Sequence, residues 1–217
     1  IAFADIVDRS GILQVVGGDE IAELKPQYMV EIEGIVNARP EKMVNDKIET
    51  GKVELSVEKV KILARSDEMP FDMGAEILNL ELPTLLDYRT LALRHPKIKE
   101  IFKVQANVLA GFRKAAEELG CIEISVPTIS ASSTEGGAEV FTVDYYGHKA
   151  FMTQSPQLYK QMLVPSLERV YTIAKAYRSE PSVTTRHLSE ATQMDCELGF
   201  VDFPQLLDAV ESVGSKT

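Results

Sequence analysis

The chain has 217 residues, and its 23 lysines and arginines against 33 aspartates and glutamates give a formal net charge of −10. This balance argues against a protein that coats nucleic acid by charge alone, although it leaves local contacts open. No apolar run approaches the roughly 18 residues of a membrane-spanning helix, and no signal-peptide pattern opens the chain. Two cysteines are too few for a disulfide framework. We therefore expect a cytoplasmic globular protein without a membrane partner.

The first part of the chain predicts short strands with one helical interruption. Apolar and polar residues alternate over 28–36 and 52–63, which is the period of a half-buried strand. The turn residues of 8–11 separate two earlier extended segments. We expect a small β-barrel in 1–65, followed by a polar linker, punctuated by proline, over 66–83.

Residues 84–217 mix helix and strand signals. Pro96 suits a first helical turn and Gly120 a C-terminal cap, and apolar residues recur at helical spacing between them. The next residues, 121–126, predict a strand that stops at Pro127. The chain as a whole is therefore expected to be α+β.

Two further strands are predicted at 170–178 and 191–200. In the second strand the residues alternate, so that polar and apolar side chains lie on opposite faces. One face carries Gln193, Asp195 and Glu197, and the other carries Met194, Cys196, Leu198 and Phe200. This pattern fits the floor of a polar pocket and equally fits a half-exposed antiparallel strand.

Three short segments carry residue types suited to binding an anion. In the hairpin between the two strands, Arg178 and Arg186 offer planar forks for phosphate or carboxylate, and His187 offers a further donor. Ser155 and Pro156 are expected to cap a helix on which Gln157 and Lys160 share one face. A loop with paired glycines contains Glu135. Each segment alone is equally explained as solvated surface.

In this order and with these neighbours, the segments resemble the class II aminoacyl-tRNA synthetases, most closely the archaeal and eukaryotic-like aspartyl-tRNA synthetases. Residues 2–15 resemble the anticodon-binding OB-fold, 120–127 the dimer-interface motif 1, and 177–190 the motif 2 hairpin. The resemblance implies an incomplete OB-fold barrel in 1–65, lacking its first strand, and the N-terminal part of an antiparallel-sheet catalytic domain in 84–217. Motif 3 has no match, so the chain is expected to be a fragment that is inactive alone.

The resemblance also implies a reaction and its residues. The reaction is aspartate–tRNA ligation in a homodimer: ATP and Mg²⁺ convert L-aspartate to an adenylate, and the aspartyl group passes to tRNA(Asp), with tRNA(Asn) as a second candidate acceptor. The implied aspartate-binding residues are Glu135, Gln157, Lys160, Arg178 and Asp195, of which Arg178 is also catalytic. The implied ATP contacts are Arg178, Ser179, Glu180, Arg186, His187 and Leu188. Phe3 and Gln14 are implied to meet anticodon bases, and the magnesium ligands are expected beyond Thr217.

Two other functions stay open at this stage. An asparagine–tRNA ligase is the nearer one, and Lys160 argues against it, because an ammonium opposite the substrate side chain favours aspartate. The other is a tRNA-binding OB-fold module with an incomplete, inactive synthetase domain. Phe3 likewise has two interpretations, a base-stacking platform or a residue of the barrel core.

Overall fold

The computed structural model describes residues 1–133, 139–181 and 187–217. Its internal contacts divide the chain into two compact units, Ile1–His95 and Pro96–Thr217. The domain limits expected from the sequence, with a linker over 66–83, stay a prediction. Within the described ranges, no helix is long and apolar enough to cross a membrane.

The first unit is built on one four-stranded sheet. Its elements are β1 (Ala2–Val7), β2 (Ile12–Gly17), α1 (Asp19–Ala22), β3 (Met29–Ala38), a 3₁₀ turn (Glu41–Met43), β4 (Val53–Ala64), α2 (Leu82–Asp87) and α3 (Arg89–Ala92). The strand order is β1-β2-β4-β3, in which β2 and β4 run parallel and the other pairs antiparallel. The four strands form an open sheet rather than a closed barrel, as expected for an incomplete one.

The predicted turn between β1 and β2 forms through the side chain of Asp8. The backbone N–H of Ser10 donates to Asp8 Oδ1 at 2.7 Å, and the Asp8 N–H donates to the Gly11 carbonyl at 3.1 Å. Gly11 takes a φ of 150°, which favours glycine. Hydrogen bonds from the Ser10 hydroxyl and backbone hold the pKa of Asp8 below its ordinary value. The turn fixes the register of the hairpin, in which Phe3 lies opposite Val16.

The second unit contains a long helix and two three-stranded sheets. Its elements are α4 (Pro96–Glu118), β5 (Ile122–Glu123), β6 (Ile129–Ser130), β7 (Thr142–Tyr145), β8 (His148–Met152), α5 (Gln157–Leu167), β9 (Arg169–Tyr177), β10 (Glu190–Leu198) and α6 (Phe203–Lys216). One sheet has the order β10-β9-β5 and the other β6-β8-β7. Both units combine helices with mainly antiparallel sheets, which confirms the α+β class.

The core of the second unit lies between α4 and one face of the β10-β9-β5 sheet. Phe112 and Tyr171 meet edge to face, with ring centroids 5.9 Å apart. The buried residues around them are Ala116 and Cys121, and the apolar face of β10 packs against this cluster through Met194, Cys196 and Leu198. Because this face of β10 is occupied by the core, its other face is free to line a site.

Several elements differ from their predicted limits. Strand β10 ends at Leu198, so Phe200, predicted on its apolar face, lies beyond the strand and is 89% exposed. The strand expected over 121–126 is only Ile122–Glu123, which pair with Val170 and Tyr171 of β9, and the Ile124 N–H adds one hydrogen bond to the Tyr171 carbonyl at 2.9 Å. Helix α5 begins at Gln157 with Pro156 at its N-cap, one residue later than predicted, although Ser155 Oγ still accepts a hydrogen bond from the Gln157 N–H at 3.3 Å. Helix α6 was not predicted. Its signal was a capping box, in which Asp202 and Gln205 bond each other's backbone N–H.

Candidate active site

The polar face of β10 forms the floor of a site in the second unit. In the antiparallel pairing with β9, Asp195 lies opposite Thr172 and Gln193 lies opposite Ala174. Opposite residues of such a pair project to the same side of the sheet. The floor therefore runs along β10 from Glu197, through Asp195, to Gln193 at the end nearer the hairpin.

Helix α5 places an ammonium group above this floor. The Lys160 side chain is 5% exposed, and its Nζ lies 3.3 Å from Asp195 Oδ2 and 3.5 Å from Glu197 Oε2. Gln157, one turn earlier on the helix, approaches the same Glu197 oxygen with its Nε2 at 3.5 Å. The sequence predicted that Gln157 and Lys160 share a face, and the structure brings that face onto the carboxylates of β10.

A cavity of about 210 Å³ adjoins this floor at the hairpin end. Its lining comprises Ala176, Arg178, Glu180, His187, Leu188, Ala191 and Gln193. The small side chains of Ala176 and Ala191 face each other across the strand pair and leave the space open. The Arg178 N–H donates to the Ser189 carbonyl at 3.0 Å, which fixes the start of the hairpin relative to its end.

The residues implied to bind ATP are therefore largely brought together. Arg178, Glu180, His187 and Leu188 line one cavity. Ser179 lies beside them, and its N–H donates to the Glu139 carbonyl at 3.1 Å. Glu135 and Arg186 fall outside the described residues, so their roles stay predictions.

The two residues implied to meet anticodon bases share one face of the first unit's sheet. Phe3 and Asp5 alternate to the same side of β1, and Gln14 lies directly opposite Asp5 on β2. Phe3 is 54% exposed, so the four strands of this unit do not bury it. Its role as a base-stacking platform stays a prediction.

Two residues of the site were not singled out from the sequence. Glu197 contacts both Lys160 and Gln157, and Gln193 lines the cavity beside Arg178. Both were assigned to the polar face of β10 by their alternation, which was the available signal. The alternation does not show that α5 packs against this face, because α5 lies almost 40 positions earlier in the chain.

The arrangement of charges separates the site into two halves. At one end the nearly buried Lys160 ammonium faces the carboxylates of Asp195 and Glu197, whose side chains are each about a quarter exposed. At the other end the Arg178 guanidinium and the Glu180 carboxylate line the cavity. Among the described residues, no three His, Cys, Asp or Glu side chains lie close enough together to hold a metal ion. No magnesium site is therefore assigned to this part of the chain.

Comparisons with known proteins agree with this geometry. Residues 81–217 match the family described as "tRNA synthetases class II (D, K and N)". Over 98% of its length the chain is 38% identical to the aspartate–tRNA(Asp/Asn) ligase of Haloquadratum walsbyi, and over 93% it is 38% identical to the aspartate–tRNA(Asp) ligase of Thermococcus kodakarensis. It covers 50% and 47% of those two proteins.

A solved structure supports the same family. The asparaginyl-tRNA synthetase of Pyrococcus horikoshii, complexed with asparaginyl-adenylate, superimposes with a TM-score of 0.85 at 28% identity, over 99% of this chain and 50% of that one. The chain thus spans about half the length of the relatives it matches. The family match covers more than half of the chain itself, and it includes every described residue of the site in the second unit. The chain belongs to the class II tRNA synthetases of the aspartate, lysine and asparagine group.

Proposed function

We propose that the protein carrying this sequence is an aspartate–tRNA ligase. It activates L-aspartate with ATP and transfers the aspartyl group to the 3′ end of tRNA(Asp), with tRNA(Asn) as a second acceptor. The observation that carries the choice of amino acid is Lys160, a nearly buried ammonium placed over the floor of the site. A substrate carboxylate can form an ion pair with that ammonium in competition with Asp195 and Glu197, whereas a neutral amide cannot, so we expect the site to favour aspartate over asparagine.

In the proposed first step, the aspartate α-carboxylate attacks the α-phosphorus of ATP in line, and pyrophosphate leaves. No side chain forms a covalent intermediate, so the enzyme's work is positioning and the stabilisation of negative charge growing on the α-phosphate. The Arg178 guanidinium supplies positive charge at this point, and Glu180 reads the adenine. Lys160 holds the aspartate side chain through its β-carboxylate, with Gln157 beside it.

In the second step, a terminal ribose hydroxyl of the tRNA attacks the aspartyl carbonyl and AMP leaves. The tRNA is held at its anticodon by the sheet of the first unit, where Phe3 and Gln14 offer a stacking surface and a hydrogen-bonding amide on one face. Magnesium, for which the described residues contain no candidate ligand group, would neutralise phosphate charge during activation. We further propose a cytoplasmic homodimer, for which Ile101 and Phe102 of α4, 63% and 46% exposed, offer an apolar surface.

The test is amino-acid-dependent ATP–pyrophosphate exchange by the complete protein, with aspartate compared against asparagine. We expect exchange with aspartate only. Charging of purified tRNA(Asp) and tRNA(Asn) then defines the acceptors, since the sequence does not decide between them. Exchange with asparagine alone would instead indicate an asparagine–tRNA ligase, the class of enzyme to which the similar Pyrococcus structure belongs. Binding of tRNA without any exchange would favour a non-catalytic module.

The same assay tests the role of Lys160. Lys160→Leu is expected to abolish aspartate activation, because the β-carboxylate would then meet an apolar side chain and two carboxylates. Unchanged activity would remove Lys160 from the specificity role.

A further inference from the structure

The hairpin of β7 and β8 ends in a turn that exposes an aromatic side chain. Tyr145 and His148 are the last paired residues, so Tyr146 and Gly147 alone form the turn. Both have positive φ angles, 52° and 78°, which are typical of a type I′ turn. The Gly147 N–H closes the turn by donating to Asp144 Oδ1 at 2.9 Å. The first position of such a turn normally carries asparagine, aspartate or glycine, so a tyrosine there is unusual.

Packing within the hairpin explains little of this choice. Tyr146 is 87% exposed, and its ring meets the ring of Tyr145 edge to face, with centroids 4.8 Å apart. Tyr145 is itself 53% exposed. A bulky residue with a positive φ carries a conformational cost, and residues strained in this way cluster at functional sites. The two rings therefore form an aromatic surface that is open to a partner.

The residues beside the rings favour RNA as that partner. His148 and Lys149 follow the turn and are exposed, and the stretch 142–150 contains a single carboxylate, that of Asp144. This stretch thus departs from the acidic balance of the whole chain, whose net charge is −10. Aromatic rings stack on unpaired bases, and cationic side chains contact the phosphates between them. The hairpin tip combines both kinds of group.

Phe200 shows that an exposed aromatic ring in this chain does not always come with such neighbours. It is 89% exposed and has a φ of 56°, so it matches Tyr146 in exposure and in backbone conformation. The stretch 195–205 around it contains two aspartates, a glutamate and no basic residue. A base could stack on this ring, but its phosphates would meet carboxylates. Phe200 is therefore the natural control for Tyr146.

Strand β8 connects the hairpin tip to the candidate active site. It ends at Met152, and the carbonyl of the next residue, Thr153, accepts a hydrogen bond from the Tyr177 N–H at 2.9 Å. An extended strand advances about 3.3 Å per residue, so the tip lies roughly 20 Å from Thr153. This distance is too long for an aspartate bound at Lys160 to reach the tip. A nucleotide strand whose end enters the site can span it.

We propose that Tyr145 and Tyr146 form a stacking surface for an unpaired nucleotide near the 3′ end of the tRNA, and that His148 and Lys149 contact its phosphates. This contact rests on the proposed function, which supplies the RNA, and it lies outside the sites for aspartate and ATP. It holds the acceptor strand while the terminal ribose hydroxyl lies in the site. Activation of the amino acid does not involve the contact, because the tRNA takes part only in the second step.

The first experiment compares the complete protein with its Tyr146→Asn variant. Asparagine suits the turn position, so the variant should unfold at the same temperature as the wild type or higher. In aminoacylation we expect the KM for tRNA(Asp) to rise about five- to a hundredfold, the range for one lost base–aromatic stack. ATP–pyrophosphate exchange, measured without tRNA, should be unchanged.

Two further variants are the controls for this comparison. Tyr146→Phe keeps the ring and is expected to keep a KM for tRNA(Asp) close to that of the wild type. Phe200→Asn removes an equally exposed ring from the same backbone conformation and should leave that KM unchanged. A similar rise in KM for Phe200→Asn and Tyr146→Asn would mean that the loss is not specific to the hairpin, and would overturn the inference.

The second experiment identifies the part of the RNA that meets the hairpin. Labelled tRNA(Asp), intact or shortened by its unpaired 3′ nucleotides, is titrated with the complete protein. Tyr146→Asn should weaken binding of the intact tRNA and leave the Kd of the shortened tRNA unchanged, because the proposed contact is absent there. An equal weakening for both RNAs, or for neither, overturns the inference. Weaker dimerisation in sedimentation, at unchanged tRNA affinity, would assign the tip to a contact between copies of the protein instead.

The two proposals fail in different ways. The titration needs no amino acid, so its outcome does not depend on which amino acid the protein activates. A wild type that activates asparagine instead of aspartate contradicts the proposed function, and the comparison is then made with tRNA(Asn). A wild type active with aspartate, together with a Tyr146→Asn variant of unaltered tRNA affinity, contradicts the role of the hairpin alone.

Discussion

At the scale of single residues, Lys160 is held by charges that only a long-range contact provides. Its ammonium is shared between Asp195 and Glu197, so the cluster of three groups carries one net negative charge when no substrate is bound. In the proposed function, a bound aspartate side chain would compete with these carboxylates for the same ammonium. The two carboxylates thus hold the Lys160 ammonium in place and weaken its attraction for a further anion.

This arrangement predicts a clear effect on stability as well as on activity. Lys160→Met removes the cation and leaves two carboxylates facing each other, which we expect to destabilise the folded chain by about 2–3 kcal/mol. That is below the usual cost of about 3–5 kcal/mol for breaking a fully buried pair, because both carboxylates retain solvent contact. Urea unfolding at neutral pH measures the loss.

A control variant separates electrostatics from packing in this measurement. Adding Asp195→Asn and Glu197→Gln to Lys160→Met should restore most of the lost stability at neutral pH, because the facing carboxylates are then neutral. A deficit that survives the triple change would mean that lost packing, rather than charge, causes it.

At the scale of elements, the β9–β10 pair shows which structural features the residue alternation of a strand predicts and which it does not. The alternation of β10 correctly separated the core face of Met194 from the polar face of Asp195, because period-two burial is a local property of a strand. The alternation did not reveal that Glu197 accepts a hydrogen bond from Gln157. In the first unit, the sequence likewise did not reveal that Arg39 is 8% exposed and forms an ion pair with Glu54. Such facts depend on which distant elements pack together, and no local periodicity encodes them.

Element limits were less predictable for the same physical reason. The apolar residues of 121–126 suit a strand, but the pairing register with β9 covers Ile122 and Glu123, and beyond them the Ile124 N–H donates to the Tyr171 carbonyl at 2.9 Å. The cap of α6 is local, since Asp202 and Gln205 are three residues apart, so it could have been read from the sequence.

The contact of α4 and β5 with β9 predicts a sensitivity to alkaline pH. The Tyr171 hydroxyl donates to Glu123 Oε2 at 2.9 Å and to Glu117 Oε1 at 3.4 Å. Burial, and then the hydrogen bond to Glu123, raises the pKa of Tyr171 above its ordinary value. Above about pH 10 the unfolded chain loses this phenolic proton while the folded chain keeps it, so stability falls as the pH rises. Below that pH the phenol is protonated in both states and contributes no pH dependence.

The Tyr171→Phe variant should therefore be less stable than the wild type at neutral pH, and the difference should become smaller at alkaline pH. At neutral pH we expect a loss of about 1–3 kcal/mol, because the hydrogen bonds to charged acceptors are removed. Between about pH 10 and 11 the difference from the wild type should narrow, since the titrating group is absent. Chemical unfolding across this range measures the effect, and Tyr146→Phe, at an 87% exposed position, is the control expected to follow the wild type. A deficit that stays constant above pH 10 would contradict the shifted titration.

At the scale of the whole molecule, the net charge of −10 argues against RNA binding by charge alone. A protein that holds RNA by charge alone gathers cations over a surface, and its affinity rises steeply as salt is lowered. This chain instead offers few and local groups, such as Phe3 and Gln14 on one face of a sheet, amid an excess of carboxylates. Its overall field repels a polyanion, and that repulsion is screened, rather than strengthened, by added salt.

The prediction that follows concerns RNA without the correct sequence or shape. Fluorescently labelled poly(U), titrated with the 217-residue chain, should show no saturable binding at about 0.15 M salt, and lowering the salt should not recover it. The control is tRNA(Asp) with the complete protein, for which the proposed function expects saturable binding under the same conditions. Binding of poly(U) that strengthens as the salt is lowered would mean that a basic surface dominates. Recognition would then not depend on local contacts of the kind that Phe3 and Gln14 provide.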